Sequence, residues 1–502
     1  MAHQVLITGA GPTGLTLGIE LARRGVEVRV VERGERPAAG SRGDGLQPRT
    51  LEVFDDLGVL DAVRAAGAPP APLRVHVGGQ FVGERRMSEW REPTPDVPLP
   101  NPWMLGQDRT ESILRTRLAE LGVPVELGTE LVAFEQDDTG VSVTLRRDGR
   151  SERVRAAYLV GADGGRSTVR RALGIPFDGT TDESMRMLLG DMRIEGLDHR
   201  YGYWFGAADD PRTGVALSPL PGGDLFQTVC PAGTDTEPSP ATVQAAFDRF
   251  GVPPGFRLRE LAWVTVWRPN SRLAKRYRAG RVFLAGDAAH AHPPTGGQGL
   301  NTGVQDAYNL GWKLAEALGP DTDAERAGDL LDSYEAERLP VAARVLGISN
   351  ELLRKYTDGA SDAFTRGAET HQLDITYRDS PLVHDGRAEP GALRAGDRAP
   401  DAPVVDADGR AVRLFDLFRG PHATVLAFGG SDAEETQEIR AHAVLRAGER
   451  ATGTAVVDAQ GHAFGAYDVV DGTTVLVRPD GYIGSITHTR GRVSLPTGAS
   501  PR

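Results

Sequence analysis

The hydrophobic pattern opens with a short apolar run, Val5 to Thr8, cut off by Gly9, Gly11 and Gly14. A helix-period stretch follows from about Thr13 to Arg24, Gly25 ends it, and Val26, Val28, Val30 and Val31 then alternate. This order predicts a parallel strand–helix–strand unit. Two further apolar strands, Tyr158 to Val160 and Val282 to Ala285, each run into a glycine- and aspartate-containing turn and then a helix, the second starting near Gly299. Between them the period drops to two. Met185 to Ile194, Tyr201 to Phe205, Thr213 to Pro219 and Asp224 to Cys230 predict an antiparallel sheet, joined by a segment near Leu73 to Phe81. Asp323 to Tyr356 is amphipathic at helical spacing and predicts a long helix bent at Pro340. Beyond Gly391 short strands resume, among them Ala423 to Gly430.

The first unit carries chemistry as well as shape. Gly9, Gly11 and Gly14 supply a tight turn, a close backbone approach to a diphosphate and tight helix-to-strand packing. The helix starting at Thr13 aims its free N–H groups at that diphosphate. The second strand delivers Glu32, followed by Arg33, where a carboxylate accepts ribose hydroxyls. In the third block Gly286 allows close approach and Asp287 can accept a hydroxyl hydrogen bond. The loop Pro293, Pro294, Thr295, Gly296, Gly297 then leads to a helix start at Gly299, Leu300 and Asn301, a ready site for negative charge. In the middle block, Asp163 and Gly164 form a turn, and Arg166, Arg170 and Arg171 place positive charge where a nicotinamide phosphate could be read. That favours NADPH slightly over NADH. A second dinucleotide fingerprint is absent.

Composition narrows the class. The 502 residues suffice for two or three domains. Lys and Arg number 57 against 69 acidic residues and are dispersed, which speaks against nucleic acid as a partner. Apolar runs stay below membrane-spanning length, and Met1 leads straight into the first strand, so a cytoplasmic location away from membranes is expected. A single cysteine, Cys230, excludes an internal disulfide, a zinc cluster and a CxxC pair, leaving reactivity to a bound cofactor and no metal site.

With these blocks in order, the chain resembles class A flavoprotein monooxygenases, the para-hydroxybenzoate hydroxylase group. Within it the chain is most similar to bacterial aromatic polyketide hydroxylases. The resemblance covers about the first three-quarters of the chain and implies an α/β fold: an FAD-binding Rossmann-like domain (1–73, 98–180 and 270–380), an inserted mainly antiparallel substrate-binding sheet (74–97 and 181–269), and a C-terminal thioredoxin-like α/β domain (391–502) without cysteines. It implies non-covalent FAD, NADPH or NADH as transient reductant, dioxygen, and a small aromatic, polycyclic polyketide substrate oxygenated through a flavin C4a-hydroperoxide. Gly161 to Ser167 matches the family's DG motif and Gly286 to Asn301 the segment that holds the ribityl chain and ring. Arg42 sits where the family places an arginine near the flavin in a loop that lets the ring swing, Gln107 where a glutamine meets the ribityl or phosphate region, and Val132 where a backbone group meets adenine. Trp103, Tyr203, Trp204, Phe205, Phe226 and Trp267 are candidate liners for a flat ligand, about a third of them expected in the pocket. No side-chain base stands out; His290 and His292 are near the flavin block, where local packing is the commoner role. Baeyer–Villiger oxygenation, oxidative inactivation of an antibiotic and noncatalytic flavin binding stay open, as does a monomer or homodimer.

Overall fold

The structure is a computed structural model that describes residues 3–488 apart from 234–235, 254, 294, 359, 361, 363–364, 431–434 and 437. The strand His3–Thr8 lies between Val28–Glu32 and Arg150–Gly161, all parallel, with Val282–Leu284 parallel on the far side of Arg150–Gly161. All three sequence blocks therefore end their strands at one edge of one sheet. The helix Pro12–Ala22 starts there, as does the helix Gly299–Ala317. Glycines let these two helices approach closely: a Cβ at Gly303 would run into Thr13, and one at Gly311 into Glu20 and Leu17. A Cβ at Gly286 would also strike Thr13, so this threonine touches the third block at both its turn and its helix.

A seven-stranded sheet forms the second layer, in the order Arg257–Trp267, Met187–Glu195, Leu225–Pro231, Gly214–Pro219, Gly202–Gly206, Leu73–Val77, Gln80–Arg85. Its pairs are antiparallel except Gly202–Gly206 with Leu73–Val77. Arg257–Trp267 and the helix Pro240–Arg249 behind it are elements that the alternation in the sequence did not reveal. The helix carries its own signal, a Ser239 cap with Thr242 reciprocating and Pro240 at the first turn.

The helix Ala324–Asp358 runs unbroken through Pro340 as a single element. Its buried face includes Leu330, Leu331, Tyr334, Val341 and Val345, so tertiary packing outweighs the one backbone bond that proline removes. The C-terminal unit is an eight-stranded sheet whose centre, Ala423–Phe428, pairs parallel with Ile439–Arg446 and antiparallel with Thr474–Val477. Cys230 is fully buried, and burial pushes its thiol up to about 12, so it is an inert core residue. Among the described residues no helix is long and apolar enough to cross a membrane, and no cluster suits a metal ion.

Candidate active site

The three N-terminal glycines divide their labour. Gly9, at φ +104°, abuts the backbone of Ala162, and Gly14 abuts the Gly9 carbonyl and Ile7. Gly11 faces open space, with no atom within 4 Å of where its Cβ would stand. This is the cradle that a diphosphate needs. Glu32 stands over the same turn, accepting hydrogen bonds from the Ala10 amide at 3.0 Å and the Gly34 amide at 2.9 Å. Two backbone donors thus lock its carboxylate, while lone pairs remain for a ribose. Its neighbour Arg33 is exposed.

One charged cluster gathers residues that are far apart in sequence. Gln107 donates to Glu111 at 2.8 Å, and its own amide reaches the Gly43 carbonyl. Glu111 is buried; that burial pushes its carboxyl up, while Gln107, Arg115 and Arg42 pull it down and Glu32 adds repulsion. Arg42 also acts on Asp287, whose carboxyl is pushed up by its enclosed surroundings and held down by His290 and Arg42. Asp287 itself is accessible, on the floor of a cleft walled by protein. Glu32, Arg42, Gln107 and Asp287 therefore converge. Glu111 joins them, although nothing in its sequence context singles it out.

Val132 occupies a β-bulge: Leu131 pairs with Leu145 and Ala133 with Thr144, which leaves Val132 unpaired and 42% exposed. A bulge frees backbone groups for a ligand. Asp163 caps the helix Thr168–Ala172 through its Oδ2, 2.7 Å from the Thr168 amide, while its buried Oδ1 has no partner. Arg170 is differently employed than its charge suggests. Its guanidinium donates to the carbonyls of Ala288 and Gly165, both at 2.8 Å, and lies 3.8 Å over the Phe177 ring. It staples two cofactor blocks together, leaving Arg166 and Arg171 as the exposed arginines of that motif.

The helix start at Gly299 and Leu300 rests on a network of amides. Asn301 is fully buried; its Oδ1 accepts from the Gln47 amide at 2.8 Å and its Nδ2 donates to Gly45 and Gly297 carbonyls. Its side chain is thus a staple, and its backbone N–H, with those of Gly299 and Leu300, lacks an acceptor within the helix. Gln298 donates to the Gly296 and Thr370 carbonyls, shaping the turn in which Gly296 and Gly297 have φ of +91° and +63°. Thr295 donates to the Ser349 carbonyl of the long helix and Pro293 is buried, whereas Pro294 lies outside the described residues. Beneath the loop, His290 is 2.5 Å from Asp306 and 2.9 Å from His292. Asp306 also accepts from the Gly286 amide and from Arg338; against its burial, His290 and Arg338 hold it down to about 2. His290 is thus taken up by local bonding, while His292 keeps a buried Nδ1 without a partner and is driven by burial far below the usual histidine range.

Strand alternation decides which aromatics face the cleft. Asp191, Gln227 and Trp263 are register partners and share one face of the seven-stranded sheet. That face meets the Arg42 loop: Asp191 accepts from the Ser41 amide at 2.6 Å, Gln227 donates to the Ser41 carbonyl at 2.6 Å, and a Cβ at Gly40 would come within 2.5 Å of the Trp263 ring. Half-buried Ala216, Ser218, Val229, Thr265 and Trp267 continue the same face. Tyr203, Phe205 and Phe226 point the other way, packed with Val243 and Phe247 in the core behind the sheet. They hold the sheet up rather than line the cleft. Trp204 is on the cleft side but only 4% exposed, bonded to the Pro211 carbonyl and edge-on to Tyr356. Trp103 pairs with Leu46 and packs on Gly67 in the FAD-binding region. Asp191, the buried charge in the strand MLLGDMRIE whose Arg193 and Glu195 are exposed, is the sequence signal for this face.

Burial pushes the Asp191 carboxyl up to about 6, helped by Asp108 and Asp44 and opposed by its bond from Ser41. A raised folded value means the charge costs stability above about pH 6. Stability from this group rises as pH falls from about 6 to the ordinary carboxylate value, below which both states are protonated. Asp191→Asn keeps an acceptor for Ser41 and removes the charge. It is expected to raise Tm at alkaline pH, with the gain over wild type shrinking through that window in a pH series of thermal melts.

The FAD-binding domain family matches residues 2–349, and the aromatic-ring hydroxylase C-terminal family matches 393–497. The chain belongs to these families: it is an FAD-dependent monooxygenase of the aromatic-hydroxylase kind, and NAD(P)H is the reductant typical of them. A flavin-dependent monooxygenase of Mycobacteroides abscessus is 43% identical over 500 residues, covering 98% of both chains. The 6-methylpretetramide 4-monooxygenase of Streptomyces rimosus is 36% identical over 531 residues, 98% of this chain and 92% of that one. Among solved structures, aklavinone-11 hydroxylase in ternary complex with FAD and aklavinone superposes with TM-score 0.79 at 27% identity, over 98% of this chain and 97% of the other.

Proposed function

We propose that this protein hydroxylates a polycyclic phenol of polyketide type, held between the cleft face of the seven-stranded sheet and the helix start at Gly299. The observation that carries this reading is the broad, half-buried strip from Ala216 and Ser218 through Val229 to Thr265 and Trp267, on the face that meets the FAD-binding domain. It offers a flat wall with a few hydroxyl and amide groups, suited to a fused-ring phenol. The named relatives that act on 6-methylpretetramide and bind aklavinone support the same class.

The residues fit FAD. Gly11 leaves an open cradle, Asp163 keeps an unpartnered buried oxygen, and Val132 has free backbone at a bulge. Bound FAD, once reduced, would activate dioxygen, so that one oxygen atom passes to substrate and the other leaves as water. The chain's own groups bind and orient. Gly9, Gly11, Thr13 and Gly14 shape the diphosphate turn, Glu32 takes the ribose, Gln107 and Asp287 take the sugar-chain hydroxyls, and Val132 borders adenine. Arg42 lends positive charge beside Asp287. Backbone amides at Gly299, Leu300 and Asn301 stabilise negative charge at the ring, and the turn at Thr295 to Gly297 keeps bulk water out. Asp287→Ala removes one charged acceptor, about 1.5–3 kcal/mol, so FAD affinity measured by fluorescence quenching is expected to fall about 10- to 150-fold.

The reading is tested by incubating the enzyme with NADPH and a panel of polycyclic phenols and resolving products by mass and NMR. A gain of one oxygen on an intact aromatic ring is expected. A lactone would reassign the reaction to ketone oxygenation, and NADPH oxidation unaffected by every phenol would end the proposal.

A further inference from the structure

Among the contacts by which the cysteine-free C-terminal unit meets the flavin-binding region, one tight turn, Arg478 to Tyr482, touches three of the elements that build the cofactor site. The first is the helix Gly299–Ala317. The Tyr308 hydroxyl, 2.7 Å from Asp56, also lies 3.1 Å from the Pro479 carbonyl, and Asn309 donates to Asp480 at 3.0 Å. The second is the helix Pro48–Asp56, directly after the Arg42 loop and Gln47. Arg49 donates to the Asp480 carbonyl at 2.6 Å and lies 4.9 Å over the Tyr482 ring. The third is the chain beneath the flavin loop. Tyr482 packs on Tyr377, ring centroids 4.2 Å apart; Arg338 donates to the Tyr377 hydroxyl and to the Thr302 carbonyl in the first turn of the flavin helix. Arg338 also holds Asp306, which binds the Gly286 amide.

These contacts are buried and charged, with little slack. Arg478 is fully enclosed, paired with Glu337 through both terminal nitrogens at 2.7 and 2.9 Å and with Asp480. Asp480 is nearly inaccessible, at 1% exposure. A dense core transmits displacement rather than absorbing it. Elsewhere the interface also reaches the helix Pro48–Asp56, through Arg398 with Glu52 and Arg419 with Asp55, whereas the Arg413 bond to the Pro95 carbonyl touches none of the three elements.

Resting on the FAD-binding assignment above, we propose that the C-terminal unit serves as a buttress of the cofactor site: the Arg478–Tyr482 turn sets the position of the flavin helix, with Asp480 and Tyr482 as positioning residues. This gives a domain without thiol chemistry a defined part in oxygenation.

The test uses the full-length chain. Asp480→Asn and Tyr482→Ala are expected to raise the FAD dissociation constant about tenfold and to shift the visible spectrum and midpoint potential of the flavin they still bind. Arg413→Ala, at the same interface, is expected to lower Tm while leaving those three quantities at wild-type values. Should either turn variant fail to fold, hydrogen exchange on the wild-type protein decides. By linkage, FAD must then protect amides of 478–483 beyond those of Ile439–Arg446 in the same domain. Wild-type dissociation constant and spectrum in both turn variants, or equal protection across the domain, would overturn the proposal. A wild-type protein that takes up no FAD would instead overturn the cofactor assignment.

Discussion

Glu337→Ala is expected to be the most destabilising single substitution outside the glycine turn. Its carboxylate is fully buried in the helix Ala324–Asp358 and accepts from Lys313 at 2.7 Å, Asn309 at 2.6 Å, Ser380 at 2.6 Å and both terminal nitrogens of Arg478. Burial alone would raise its pKa, but Arg478 and Lys313 hold it well below the usual range, so it is charged. Truncation leaves two buried cations facing each other with Asp480 as their remaining carboxylate, and burial already pulls Lys313 down to about 8. Breaking such a group by removing one partner costs about 3–5 kcal/mol. The readout is an apparent Tm lowered on the order of 10 °C, accompanied by a Lys313 that sheds its proton more readily. A Tm within a degree of wild type would show that the network is dispensable.

Gly9→Ala is expected to abolish FAD retention, so that the protein purifies colourless. Two costs coincide at this position. The residue has φ +104°, where an L side chain is strained, and the new methyl would sit inside the Ala162 carbonyl, which is backbone just past the end of the neighbouring strand rather than a side chain able to turn away. The Ala162 amide itself bonds to Thr8, so neither strand end can yield without opening the sheet edge that carries the first and second cofactor blocks. Gly11→Ala is the informative comparison. With open space around it, this substitution leaves the apo fold unstrained, and its effect should appear in FAD affinity alone. Equal loss of apo Tm in both variants would refute the division of labour between the two glycines.

How much was legible depends on whether a property is local. The glycines of the first turn, the Gly286–Asp287 turn and the helix start at Gly299 are dictated by short-range backbone demands, and composition and spacing display them directly. Gln107, Arg42 and Val132 were placed by resemblance, and the structure brings Arg42 and Gln107 together around Glu111, a residue with no local signature. For the substrate sheet, the alternation announced strands but not which face meets the cofactor. An odd-versus-even choice flips every side chain. Asp191, Gln227 and Trp263 take the cleft side because Ser41 and Gly40 receive them there, and Tyr203, Phe205 and Phe226 turn to the helix Pro240–Arg249.

By itself, then, the order of residues determined a dinucleotide turn and an α/β chain, and its resemblance to class A flavoprotein monooxygenases supplied the oxygen-using flavin chemistry. The tertiary structure alone decided the wall of the cleft and the tie between the C-terminal turn and the flavin helix. The contacts of that turn join residues as far as 431 positions apart, as in Arg49 to the Asp480 carbonyl, and 141 apart in Arg478 to Glu337. No periodicity or motif encodes such pairs, because a buried ion pair is specified by the packing that excludes water around it, and that packing exists only once distant segments have met.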